Sequence, residues 1–377
     1  MFKLLLAYIF VFVPLSVLAD SEEKADVSVA DPAVQVLISE LGLRESKTAV
    51  RDLPGWSPPK KIVVWPINTN WLPGLQSVAA DVELVFVDSP EQARSEAVDA
   101  QAVIGTCDEE MLAKSPDLFW IQVFSAGVER CIANPSLKNR SRLLTNGQRV
   151  GSPALAEHAI AMMMMLARGL DVYHTNQLSG EWKWQTQLER TDHIELEGRT
   201  LLVVGLGGIG TQVAKRGHGL GMRVIATRNS RREGPDYVDY VGLPDELNTL
   251  AAQADVVINT APLTDETRGM FNAAFFDAMK PQAFFITVGR GGSTVTGDLV
   301  AALKSGSIGG AGLDVTDPEP LPAGHPLWTM PRVIISPHTA GRSDKGRERL
   351  YLVVKENLRR YVSGEPMLSV VDIEKGY

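Results

Sequence analysis

The sequence predicts an α/β fold of two parallel-sheet domains with a cleft between them. Three observations lead there. Short apolar runs of strand length alternate with amphipathic, helix-prone stretches, a rhythm that favours parallel pairing. The rhythm runs twice, once before and once after residue 150. The 377 residues, 45% hydrophobic and 22% charged, leave room for two such cores. The formal net charge of −8 is dispersed rather than blocked. No basic patch points to nucleic acid, and a small anionic ligand would need local positive charge.

Residues 1–19 read as a leader rather than as part of the fold. Lys3 gives a short basic region, Leu4 to Leu18 is almost wholly apolar, and Val17-Leu18-Ala19 suits cleavage before Asp20. The stretch is short for a membrane span and contains Pro14. A secretory signal peptide, with export to the periplasm or medium, is the expectation. A retained membrane anchor and a mis-assigned start with a cytoplasmic product are the alternatives. Beyond the leader no membrane contact is expected.

Residues 20 to 58 are polar and helix-prone, ending at Pro54-Gly-Trp-Ser-Pro-Pro59. Ile62–Ile67, Val82–Val87, Ala102–Gly105 and Leu118–Phe124 then read as buried strands of a first domain, 20–150, completed by 343–377. Loops at the carboxyl ends of such strands bind ligands. Here these are Thr106-Cys107 and Ser125-Ala126-Gly127-Val128. Gly127 would let a backbone amide approach an anion, although alone it is equally a turn glycine. Cys107 and Cys131 are the only cysteines and no Cys/His cluster exists, so no metal is expected. Two unpaired, buried thiols are the expectation for them, with a disulfide as the alternative in an exported chain.

Pro153 to His174 reads as one long helix. Its Met162-Met-Met-Met165 run points around the helix, so it reads as packing between domains or subunits rather than as a redox or metal feature. Glu157 complements the helix dipole, and His158 reads as a satisfied structural group. The segment 180–195, with Trp182 and Trp184, is too polar for a core and reads as a subunit-contacting arm, hence an expected homodimer.

A second domain, 151–342, carries the clearest motif. The strand Thr200–Val204 precedes Gly205-Leu-Gly207-Gly208-Ile209-Gly210 and an amphipathic helix, the context that makes Gly-x-Gly-x-x-Gly a strong sign of dinucleotide binding. Gly205 permits the tight turn, Gly207 admits the pyrophosphate to the helix N-terminus, and Gly210 lets helix and strand pack. Met222–Ala226 is the next strand. An acid at its end would bind the ribose 2′-hydroxyl. The chain instead places Thr227-Arg228-Asn229-Ser230-Arg231-Arg232 there, three arginines and a serine with no carboxylate before Glu233. These residues suit a 2′-phosphate, so NADP(H) is favoured and NAD(H) stays open. A solvated basic turn is the plain alternative.

Val256–Thr260 leads into Ala261-Pro262, and Ala283–Val288 into Gly289-Arg290. A helix at Gly297–Lys304, strands at Gly309–Val315 and Arg332–Ser336, and a final helix from Ser343 complete the rhythm. The last strands end in Arg290, Asp314 and His338, with Glu319 close behind Asp314. Arg clamps a carboxylate in a bidentate fork. His passes a proton to a developing alkoxide. A neighbouring Glu orients and sustains that His. Together they suit reduction of a 2-oxo acid. His174, His193, His218 and His325 lack such company.

The chain resembles the D-isomer-specific 2-hydroxyacid dehydrogenase family, which includes glyoxylate/hydroxypyruvate reductases, over roughly residues 60–365. The resemblance rests on Ser125-Ala-Gly127-Val, the glycine loop 205–210, Pro262-Leu-Thr264, Gly289-Arg290-Gly291, Leu313-Asp314-Val315, Glu319-Pro320-Leu-Pro and Ser336-Pro-His338. It implies two Rossmann-like or flavodoxin-like domains and NAD(P)H-dependent reduction of a short 2-oxo acid to the D-2-hydroxy acid. By resemblance, Arg290 binds the substrate carboxylate and 2-oxo oxygen, and His338, paired with Glu319, is the acid/base beside the cofactor. The backbone of Ser125, Ala126 and Gly127 would hold the carboxylate. Asp314 would lie near the nicotinamide carboxamide, with the Ala261-Pro262 and Val288-Gly289 loops lining the cofactor. Glu319 argues against the formate dehydrogenase branch, which carries Gln before the matching Pro. The competing expectation is an exported or membrane-anchored, non-catalytic dinucleotide-binding scaffold. Intact Arg290, Glu319 and His338 speak against it.

Overall fold

The computed structural model describes residues 31–138, 141–183 and 193–376. The expected leader and Trp184 lie outside them. Strand β1 (Glu45–Ala49) precedes a first sheet of β2 (Lys61–Val64), β3 (Glu83–Phe86), β4 (Ala102–Ile104), β5 (Trp120–Gln122) and β6 (Leu143–Thr145). A second sheet holds β7 (Thr200–Val204), β8 (Arg223–Thr227), β9 (Tyr240–Gly242), β10 (Val256–Asn259), β11 (Phe284–Thr287), β12 (Gly310–Leu313) and β13 (Val333–Ile335), and β14 (Pro366–Leu368) follows. The first sheet runs β3-β2-β4-β5-β6 and the second β13-β12-β11-β10-β7-β8-β9. Every pair within both sheets is parallel.

Parallel strands are apolar on both faces because helices cover both. Side-chain alternation divides each sheet between two cores. Ile62 and Val64 join one cluster with Trp120, whereas Val63 joins Val103 and Ile121 in another. Leu201 and Val203 pack with Met162 and Met163, and Leu202 and Val204 with Phe271, Phe275 and Phe285. The methionine run is therefore packing, on the second sheet. The helix Asp344–Ser363 returns to the first sheet, where Leu350, Val353, Val354, Leu358 and Tyr361 enter its core. Among the described residues no helix is long and apolar enough to cross a membrane.

Three expectations need correction. The helix from residue 153 does not run to His174. It ends at Ala167, Gly169 turns the chain at φ +65°, and a second helix spans Leu170–Leu178. Among the described residues, the helix-prone N-terminal region holds one α-helix, Pro32–Leu41, and a 3-10 turn at Val50–Asp52, while Glu45–Ala49 pairs antiparallel with β14. Cys107 and Cys131 are not free thiols but a disulfide, with Cα atoms 5.6 Å apart. They follow the adjacent parallel strands β4 and β5, whose carboxyl-end loops converge on one edge.

Candidate active site

Strand order lines up the expected residues along one carboxyl edge. His338 follows β13, Arg290 follows β11, Ala261 follows β10, the glycine loop follows β7 and Arg228 follows β8. The order reverses between β7 and β10, the switch point at which such sheets bind nucleotides.

The glycine loop is built as that role requires. Gly205 has φ +91°, and a Cβ there would stand 2.9 Å from the Ala261 backbone. A Cβ on Gly210 would lie 2.2 Å from the Gly205 carbonyl oxygen, so the helix Gly208–Gly219 can start this close to β7 only without one. Around Gly207 the same test meets nothing within 4 Å. That open space beside a helix N-terminus fits a pyrophosphate. Thr260 Oγ1 donates to the Gly205 carbonyl (2.7 Å), and Gly205 N donates to Thr227 Oγ1 (3.2 Å).

At the end of β8, Arg228 is half-buried, and its Nε is buried without a hydrogen-bond partner. Burial, then the like charges of Arg231 and Arg44, hold its guanidinium below the usual range against a weaker pull from Glu233. Arg149 is depressed likewise by burial, then by Arg44, Arg228 and Arg231. Orphaned guanidinium nitrogen and gathered like charge fit a phosphorylated ribose. Asn229 and Ser230 are exposed beside them.

At the other end, His338 Nδ1 meets Glu319 Oε1 at 2.7 Å. A carboxylate can only accept, so Nδ1 carries the hydrogen and Nε2 is left for chemistry. His338 has φ +52°, a conformation that costs a non-glycine residue energy and persists only when its surroundings impose it. Asp314 imposes it. Its carbonyl accepts from His338 N (2.9 Å), and its carboxylate accepts from Ser336 Oγ (2.7 Å), Thr339 N (2.9 Å) and Ala340 N (3.1 Å). The Asp314 side chain is 0% exposed, and what it visibly holds is the His338 loop. His158 Nε2 donates to Ser336 Oγ at 2.8 Å, which makes it a second support of that loop.

Arg290 reaches across the cleft. Its Nε donates to Glu129 Oε1 (2.9 Å) and its Nη1 to the Gly289 carbonyl (2.9 Å). A Cβ on Gly127 would stand 2.0 Å from Arg290 Nη2, so the expected cation and the expected substrate loop touch. That loop is pinned by Ser125 Oγ on the Gly127 carbonyl (2.6 Å) and by Asn146 Nδ2 on the Ala126 carbonyl (2.7 Å). Among the described residues, the amides of Ala126 and Gly127 have no partner, leaving two donors beside a guanidinium. Pro262 is exposed, whereas Val288 and Gly289 are buried and offer backbone rather than side chain.

Two contributors were not singled out from the sequence. Glu129 occupies the cation expected to take the substrate. Asn259, fully buried at the end of β10, donates to Thr287 Oγ1 (3.0 Å) and Ser293 Oγ (2.9 Å) and accepts from Ala261 N (3.0 Å). Ser293 Oγ in turn donates to the Arg290 carbonyl (2.7 Å). The available signal was a polar residue closing the apolar run Val256-Val-Ile-Asn259.

A family model, D-isomer specific 2-hydroxyacid dehydrogenase, NAD binding domain, matches residues 160–340. Glyoxylate/hydroxypyruvate reductase A of Photorhabdus laumondii is 32% identical over 275 residues, 71% of this chain and 84% of that protein. The chain belongs to the D-isomer specific 2-hydroxyacid dehydrogenase family. A family protein from Aeromonas salmonicida has a solved structure with TM-score 0.73 and 30% identity, over 84% of this chain and 100% of that one. An NADPH-dependent glyoxylate/hydroxypyruvate reductase from Sinorhizobium meliloti, solved with NADP and sulfate, has TM-score 0.69 and 27% identity over 84% and 100%. The chain is thus an NAD(P)-dependent oxidoreductase of 2-hydroxy and 2-oxo acids.

Proposed function

We propose that this dehydrogenase uses NADP(H) to reduce a short 2-oxo acid of the glyoxylate/hydroxypyruvate kind to the D-2-hydroxy acid. The observation that carries the reading is the 2.7 Å His338–Glu319 pair on the edge that also presents Arg290. Arg290 would exchange Glu129 for the substrate carboxylate, helped by the amides of Ala126 and Gly127. NADPH, when bound along the Gly205–Gly210 loop, would supply a hydride. His338 Nε2 delivers the proton to the carbonyl oxygen while Glu319 holds the ring through Nδ1. Similarity to reductases named for glyoxylate and hydroxypyruvate supports the substrate class, and the arginines after β8 support NADP(H).

The test is a 2-oxo acid panel followed by nicotinamide absorbance, with NADPH and NADH compared by kcat/KM. Turnover of glyoxylate or hydroxypyruvate with NADPH preferred is expected. Binding of NADPH without turnover of any 2-oxo acid overturns the enzyme reading, and a preference for NADH overturns the nucleotide reading.

Export also belongs to this reading. The Cys107–Cys131 bridge supports it, because disulfides persist in oxidising compartments. Recovery of the chain with Met1 intact in a cytosolic fraction would overturn it. A homodimer with the 180–195 arm at its interface would cover Trp182, which is 87% exposed, and light scattering on the full chain tests it.

A further inference from the structure

We propose that Arg44 and Arg149 of the first domain complete the receptor for the 2′-phosphate of NADP(H), so that both domains read the nucleotide. The proposal rests on the NADP(H) reading above and goes beyond the residues after β8.

Arg149 sits where the chain leaves β6 for the helix Ser152–Ala167, at φ +69°. Its side chain lies along the first residue of the helix Gly208–Gly219, where a Cβ on Gly208 would stand 2.7 Å from Arg149 Cγ. Its Nη1 donates to the Leu41 carbonyl at 3.1 Å, at the end of the helix Pro32–Leu41. Arg44 follows three residues later, and its backbone is fixed because its carbonyl accepts from Ser369 N (2.8 Å) as β1 pairs with β14. Two residues before Arg44, a Cβ on Gly42 would stand 3.1 Å from Arg149 Nη1, and the like charge of Arg44 acts on both Arg149 and Arg228.

Charge accounting then asks for an anion. Among the described residues, no carboxylate lies within ion-pair distance of Arg44, Arg149 or Arg228, and Arg231 has only Glu233 at 3.8 Å. By contrast, two buried arginines of the helix Asp344–Ser363 are neutralised internally. Arg359 and Arg360 share Glu356 at 2.9 and 2.7 Å. Arg149 and Arg228 are half-buried and Arg44 and Arg231 exposed, and like charge gathered around half-buried cations without counter-charge is unfavourable until a ligand supplies one. A phosphomonoester offers about two negative charges and three acceptor oxygens, which match guanidinium forks. The pyrophosphate is common to both nucleotides and has its own place at the helix N-terminus, so the additional cations fit the group that only NADP(H) carries.

The test measures dissociation constants of NADPH, NADH, 2′,5′-ADP and 5′-AMP by titration on the full chain and on Arg44→Gln, Arg149→Gln and Arg228→Gln. Arg44→Gln and Arg149→Gln should each weaken NADPH and 2′,5′-ADP about tenfold or more, while NADH and 5′-AMP move by less than about twofold. Arg149→Lys, which keeps charge but loses the fork, should fall between wild type and Arg149→Gln, and thermal unfolding shows whether each variant is folded. Equal losses for both nucleotides would assign Arg149 to the shared pyrophosphate and overturn the proposal. If Arg228→Gln abolishes the preference while the other two variants keep it, only the two-domain receptor falls. If the wild-type chain shows no preference, the nucleotide reading falls with it.

Discussion

The two ends of the carboxyl edge handle charge in opposite ways. At the reacting end each basic group already has a partner from the chain, Glu319 for His338 and Glu129 for Arg290. At the adenosine end Arg44, Arg149 and Arg228 have none among the described residues, and like charge gathers around Arg149. A paired cation can bind a new anion only by exchange, so the internal contact subtracts from the affinity. An unpaired cluster gains the whole interaction. On the proposed function, the nucleotide end would hold, and the reacting end would let go of a short acid after each turnover.

That contrast breaks most easily at His338. On the proposed roles, in which the ring moves a proton and the distant arginines hold the nucleotide, His338→Ala should lower kcat by about 10²–10⁴-fold while NADPH affinity stays near wild type. Steady-state kinetics beside a nucleotide titration checks both halves. A variant that retained wild-type kcat would remove His338 from the chemistry.

Arg290→Ala comes next. If its fork meets the substrate carboxylate as proposed, the loss should cost about 10²–10³-fold in kcat/KM, mostly as raised KM. A rise in the NADPH dissociation constant of the same size would show that the two ends are not separate in function. Glu319→Gln is expected to cost about 10- to 100-fold in kcat, as for other partners that orient a histidine, with KM nearly unchanged. Gln can still accept from Nδ1 but carries no charge, so a wild-type rate would mean that only its position matters.

The sequence makes the reacting end easier to read than its supports. Arg290, Asp314 and His338 each close an apolar run, and the glycine loop has a strand before it and a helix after it. Those signals are local. Those that form three of the short edge strands are not. Leu143–Thr145, Tyr240–Gly242 and Pro366–Leu368 gain their place by pairing with the free edges of β5, β8 and β1, so periodicity passes over them. Glu129 lies 161 residues before Arg290, and nothing near it in sequence marks it as a partner. Arg44 and Arg149 gain meaning only once the pairing of β1 with β14 carries the N-terminal segment to the nucleotide edge. The Cys107–Cys131 bridge likewise depends on two loops converging, which spacing does not reveal. Asp314 shows the converse. Its position was legible, but the three hydrogen bonds its carboxylate spends on the His338 loop were not.

Glu129→Gln should give the smallest effect and the sharpest sign. The Arg290 and Glu129 side chains are 30% and 44% exposed, so their ion pair falls in the range of partly screened pairs, about 0.2–1 kcal/mol. Substrate binds only the fraction of molecules in which Arg290 has let go, and its apparent affinity is reduced by that fraction. Removing the competing charge should therefore lower KM for a 2-oxo acid by about 1.5- to 5-fold and leave kcat alone. The opposite sign has an equally definite meaning. If Glu129 serves to aim Arg290, its loss would raise KM, and Glu129→Asp would recover less than wild type because its shorter side chain cannot reach as far. Nucleotide affinity should not respond to either variant, since Glu129 stands at the paired end. A lowered KM with unchanged NADPH binding would establish that the internal carboxylate holds the place of the substrate's.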